Sequence, residues 1–192
     1  MNAFRMRSYA FEGILACILC FFSSMVHARS SDVGFSQELS PQILLYTGDV
    51  SRASTGAAVQ YSYHIGPVLW VGVDVLWNPM RLDQGQSLAG KTSPHLFSAA
   101  PVVYWNLPSF LGVEDGTHAD FYTSFGLGYL RLGGDSSVYG SIGGGLLIFP
   151  WRRSSHFGLR FDFKTLFYSQ NNPNGGDFMA DVSLGLGPSL LF

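Results

Sequence analysis

Ser62 and His64 stand two residues apart, so on an extended strand both side chains leave the same face, and Asp74 lies close enough in sequence to sit on the next strand. Hydroxyl, imidazole and carboxylate are the residue types of nucleophilic acyl transfer, provided the base reaches the hydroxyl and the acid orients the base. The same three groups also satisfy one another when they are merely buried, because polar groups removed from water need partners. The other chemistry-bearing residues are scattered. His95, His118 and His156 have no second histidine at the i+2 or i+4 spacing that would hold zinc. Gly126, Gly128 and the run Gly143-Gly144-Gly145 precede no helical pattern, which a phosphate cradle requires, and in strands glycine marks bends or close packing. No residue set is assigned as catalytic, cofactor-binding or metal-ligating.

The elements that must position these residues follow from composition and period. The chain has 192 residues, 12% of them charged and 47% hydrophobic, with 23 glycines. A soluble domain usually carries about 25% charge. The first segment reads as a signal peptide. Arg5 and Arg7 precede the apolar run Ile14–Phe22, and Val26-His27-Ala28 offers a cleavage site after Ala28. That run is too short for a spanning helix, which needs about 20 residues. Cys17 and Cys20 both fall within it, so the exported protein has no thiol and no disulfide. An alternative processing box at Ile14-Leu15-Ala16-Cys17 sits too early and is rejected. Residues 29–192 retain nine Lys/Arg against twelve Asp/Glu, no footprint for nucleic acid. They contain no apolar stretch long enough for a spanning helix. In hydrocarbon the remaining way to satisfy a backbone is a closed barrel.

Alternation is the decisive signal. Phe178, Ala180, Val182, Leu184, Leu186, Pro188, Leu190 and Phe192 share one parity, against Met179, Asp181, Ser183, Gly185, Gly187 and Ser189 on the other. Phe157, Leu159, Phe161, Phe163 and Phe167 oppose Gly158, Arg160, Asp162, Lys164 and Tyr168 in the same way. Weaker alternation covers 56–65, 69–77, 96–106 and 119–131. The run 138–149 is too glycine-rich for its facing to be assigned, and a first strand is placed near 41–50. The expected fold is all-β: an eight-stranded antiparallel transmembrane β-barrel with up-and-down connections, spanning 41–192 after an N-terminal periplasmic segment, 29–40. Gly66-Pro67 and Pro150–Ser155 read as short turns; Asn78–His95, Gly133–Ser137 and Gln170–Gly176 read as exterior loops, with a long periplasmic turn over Asn106–His118. Trp77, Trp105, Tyr129, Trp151 and Tyr168 are placed in interfacial girdles, with Arg152-Arg153 as an anchor beside Trp151.

An eight-stranded barrel is just wide enough to be filled by side chains. Gln60, His64, Asp74, Arg160, Asp162, Lys164 and Asp181 are expected to form a polar plug. If Tyr168 pairs with Asp177, Lys164 faces Asp181 across the last hairpin. Pro101 and Pro188 fall on the outward parity, where loss of a ladder hydrogen bond loosens a strand seam or marks a bulge.

Two features resemble outer-membrane barrels as a class. The chain ends in Phe192 on the outward parity, similar to the C-terminal signal read by the barrel-assembly machinery. The blocks Asp120–Gly128 and Phe157–Phe163 resemble the outer membrane beta-barrel domain proteins of predatory and gliding proteobacteria, over about residue 56 to the end. That resemblance implies location in the bacterial outer membrane, with lipid and lipopolysaccharide as partners, and carries no activity with it. Asp135 and Asp177, flanking exterior loops, would then meet either solvent or divalent cations bridging lipopolysaccharide. Three roles are open: a structural, envelope-integrity barrel with a filled lumen; an adhesion module using 78–95, where Arg81, Asp83, Lys91 and His95 surround Gly85 and Gly90; and a lipid A-modifying enzyme. The lipid A deacylases use a His-x-Ser order, whereas this chain offers Ser62-Tyr63-His64, and His156-Phe157-Gly158 lacks the serine. The structural reading, without enzymatic activity, is the one adopted.

Overall fold

A computed structural model of the chain describes residues 37–48, 51–82, 94–107, 119–150, 156–172 and 175–192. The expected signal segment, residues 29–36, and most of the expected loops 78–95 and 106–118 lie outside the described residues, as do 151–155. Eight strands follow in order: β1 (Gln37–Gly48), β2 (Ser51–His64), β3 (Leu69–Pro79, continued by Arg81–Leu82), β4 (His95–Asn106), β5 (Ala119–Leu132), β6 (Asp135–Ile148), β7 (Phe157–Asn172) and β8 (Gly175–Leu191). Each pairs antiparallel with its sequence neighbours, and β1 also pairs with β8, which closes the sheet into a barrel. Gln37 and Phe192 exchange both backbone hydrogen bonds at 3.0 Å, so the last residue completes the closing seam.

The alternation read from the sequence is the alternation of the wall. Ile43, Val59, Val73, Phe97, Phe125, Phe161 and Leu186 are exposed on the outside, while Gln42, Gln60, Asp74, Ser98, Ser124 and Asp162 are buried inside. β6 takes its facing from its partners. Gly143 lies opposite Ser124 and Lys164, and Gly145 opposite Tyr122 and Asp162, so the odd positions face inward. The inward glycines are needed there. A Cβ on Gly145 would lie 2.2 Å from the Tyr122 hydroxyl, in space that the phenol fills.

Five expectations are corrected. β1 begins at Gln37 rather than near 41, which brings Glu38 and Ser40 into the wall. The segment 133–137 is not a loop: Leu132 pairs with Asp135, and the turn is Gly133-Gly134, with φ of 66° and 141°. The last hairpin stays paired through Asn172 and Gly175, so most of the expected 170–176 loop is ladder. Its register is consequently shifted by two residues: Tyr168 faces Met179, Lys164 faces Ser183, and Asp181 faces Leu166. Tyr168, read as inward by parity but also placed in a girdle by its position near a strand end, points inward and is buried, whereas Trp77 and Tyr129 are exposed outside.

Strands of 11 to 17 residues meet or exceed the roughly 9–11 that a tilted strand needs to cross a bilayer core. β7 and β8 are the longest, so the surplus is greatest at the hairpin far from the termini.

Candidate functional site: a filled lumen

The interior divides along the barrel axis. Toward the end that carries Gln37 and Phe192, the lumen is polar and centred on Arg160, which is fully buried. Its Nη1 donates to Glu38 Oε1 at 2.8 Å, and its Nε donates to Asp162 Oδ2 at 3.1 Å. The guanidinium lies over the rings of Tyr104 and Tyr122, 4.8 and 4.5 Å from their centroids. Planar charge, two carboxylates and two aromatic faces form an arrangement that guanidinium suits and ammonium does not. Glu38 also accepts from Ser189 Oγ at 2.6 Å and from Ser62 Oγ at 3.3 Å. Asp162 further accepts from Tyr122 at 2.7 Å and from the Gln42 amide.

One layer further in, Lys164 donates to Asp74, which also accepts from Tyr104. The expected pair of Lys164 with Asp181 does not form, because Asp181 accepts instead from Tyr46 and Tyr168. Register explains the exchange. Opposite Ser183, Lys164 reaches across the lumen to β3 rather than along its own hairpin. Apolar side chains, among them Leu44, Leu76, Met80, Leu96, Leu130, Leu132, Leu166 and Met179, are buried together in the rest of the lumen, with Asn78 and Ser54 hydrogen-bonded to each other among them. Between the two halves is a cavity of about 30 Å³ beside Gln42, Gln60, Asp74 and Lys164. That is room for a water molecule or two, not for a solute.

The residues weighed for acyl transfer are dispersed. Ser62 and His64 do share a face, but both turn to Glu38, the histidine with Nε2 3.6 Å from Oε2. The ring of His64 stacks on Trp70, with centroids 4.3 Å apart. Asp74 is engaged by Lys164 and Tyr104 and does not orient the histidine. Of the expected plug, Gln60, His64, Asp74, Arg160, Asp162, Lys164 and Asp181 all face inward. Glu38, Gln42 and Tyr46 are the partners that the sequence reading left out, and Tyr104, Tyr122 and Tyr168, which stand on its inward parities, complete the set. The parity of 38–46 was the signal for Glu38, Gln42 and Tyr46, since Pro41, Ile43 and Leu45 already marked the other face. Among the described residues, no group of three His, Cys, Asp or Glu is placed to hold a metal ion.

A closed eight-stranded antiparallel barrel with an apolar exterior and a side-chain-filled interior defines a class, the small outer-membrane β-barrel. Solved structures of that fold superpose on the chain. Neisserial surface protein A matches with a TM-score of 0.57 and 14% identity, covering 83% of this chain and 97% of that one. The outer membrane protein OprG from Pseudomonas aeruginosa matches with a TM-score of 0.54 and 9% identity, covering 82% and 96%. These are likenesses of fold. No protein-family model matches the sequence, so the resemblance to the barrels of predatory and gliding bacteria rests on its two sequence blocks alone. No curated protein matches it either.

Proposed function

We propose that the chain is an integral protein of the bacterial outer membrane that serves envelope integrity as a solid, non-conducting barrel. In this reading residues 1–28 export it and are removed, and Phe192 presents the C-terminal strand to the barrel-assembly machinery. The observation that carries the reading is Arg160, fully buried in the lumen between Glu38 and Asp162 and roofed by two tyrosines. A pore lined for transport keeps its charges in water. Here, by contrast, charges from β1, β3 and β7 are spent on one another, and buried side chains such as Leu96, Leu130 and Asn78 fill the lumen further along. Lipid and lipopolysaccharide cover the exterior belt.

The test is a deletion strain with complementation. Fractionation of wild-type cells is expected to give a heat-modifiable band in the outer membrane. Deletion is expected to raise sensitivity to detergent and large antibiotics, and the intact gene to restore resistance. A protein found in the soluble fraction, or a deletion whose only defect is uptake of one small solute, would overturn the proposal.

A further inference from the structure

The closing seam contains a break that two prolines make. β1 and β8 pair at Glu38–Leu191 and Leu39–Leu190, and again from Ile43–Leu186 to Gly48–Asp181, at one constant register. The three positions between are missing from the ladder, and that register sets Pro41 directly opposite Pro188. Neither proline has an N–H to give, so a pair that would exchange two backbone hydrogen bonds exchanges none. A side chain patches the gap: Ser40 Oγ donates to the Pro188 carbonyl at 3.0 Å. Gly187 lets the two backbones approach closely here, since a Cβ on it would lie 1.9 Å from the Pro41 carbonyl oxygen.

Behind this break stand two buried polar atoms without partners. Gln42 Nε2 donates to Asp162 and to Gln60, which fixes the amide orientation and leaves Gln42 Oε1 unpaired. That oxygen lies over Gly185 of β8, 2.3 Å from where a Cβ would be. Arg160, which pairs with Gly187 across the β7–β8 ladder, leaves Nη2 unpaired. The unpaired acceptor therefore lies over Gly185, which pairs with Leu44 just past the point where the ladder resumes, and the unpaired donor belongs to the residue that pairs with Gly187, within the three positions the ladder skips. Outside, Pro41, Ile43, Leu186 and Pro188 present an apolar surface.

We propose that the Pro41–Pro188 seam is a lateral binding site for a single-chain, hydroxyl-headed membrane amphiphile, its hydroxyl reaching Gln42 and Arg160 and its chain lying against the outer wall. A hydroxyl fits because it donates to Gln42 Oε1 and accepts from Arg160 Nη2. An anionic head is disfavoured because the described interior already buries five carboxylates (Glu38, Asp74, Asp120, Asp162, Asp181), and an ammonium head has no lone pair with which to accept from Arg160. It is small and carries one chain because the ladder is intact on both sides of three residue positions. The inference rests on the membrane placement proposed above.

The experiment uses the barrel refolded into phosphatidylcholine vesicles that contain a long-chain alcohol bearing a photoactivatable diazirine, or the same chain ending in methyl. Cross-linked residues are read by mass spectrometry, and heat-modifiable mobility scores insertion in the same samples. Failure of wild type to insert would thus count against the membrane placement itself. The alcohol is expected to label 41–44 and 184–188 several-fold above the outer positions of β4, with the methyl analogue showing no such preference. Gln42→Leu, and separately Pro41→Val with Pro188→Val, are expected to remove the preference with mobility unchanged. Even labelling around the belt would overturn the site. So would labelling that persists in an inserted Gln42→Leu barrel, which would leave water in the small cavity as the partner of Gln42.

Discussion

Arg160 shows how a buried charge is made tolerable. Taking a guanidinium out of water is costly, and two carboxylates, two hydrogen bonds and two aromatic faces offset that cost only while all remain. Removing one partner of such a pair leaves the other as an uncompensated charge. Arg160→Met is therefore expected to destabilise the refolded barrel by about 3–5 kcal/mol, read from urea unfolding followed by heat-modifiable mobility. Lys164 supplies a sharper comparison. A double-mutant cycle of Lys164→Met with Asp74→Asn is expected to show a coupling of about 1–3 kcal/mol. The cycle of Lys164→Met with Asp181→Asn is expected to be additive within about 0.5 kcal/mol, because Asp181 is held by Tyr46 and Tyr168. The reverse ranking would mean that the last hairpin adopts the register in which Tyr168 pairs with Asp177.

At the scale of strands, glycines separate close approach from open wall. Gly187 meets the Pro41 carbonyl, whereas a Cβ on Gly140 would meet nothing within 4 Å. Gly187→Ala is expected to cost about 1–3 kcal/mol by overpacking the seam, and Gly140→Ala to stay within about 0.5 kcal/mol of wild type, in the same unfolding assay. These strands were legible because period two is imposed by the wall itself: phenylalanines on one parity of β7 and charges on the other leave a single facing. β6 was not legible, since glycine carries no polarity and its facing is set by Tyr122 and Lys164 on the neighbouring strands. Register was not legible either. Parity fixes which residues face inward but is unchanged by a slip of two, and that slip moves Lys164 from Asp181 to Ser183. The Pro41–Pro188 pairing was hidden for the same reason. Pro188 was visible on the outward parity, but its partner belongs to a strand at the opposite end of the sequence.

At the scale of the whole molecule, the barrel resembles a folded core turned inside out, with its polar groups packed within and its apolar side chains facing outward. Such a protein gains its stability in the membrane from a closed ladder and a satisfied interior, since unpaired backbone has nowhere else to turn in hydrocarbon. The division of Ser62 and His64, which turn to Glu38, from Asp74, which takes Lys164 and Tyr104, follows from the same economy, each polar group taking the partner that closes the lumen. The most direct test of a filled lumen is electrical. Purified, refolded protein in planar lipid bilayers is expected to be silent in wild-type form, with no steps of current over the range of potentials in which small porins conduct. Steady unitary currents whose ion preference shifts with Lys164→Ala would contradict the account and make the barrel a small channel.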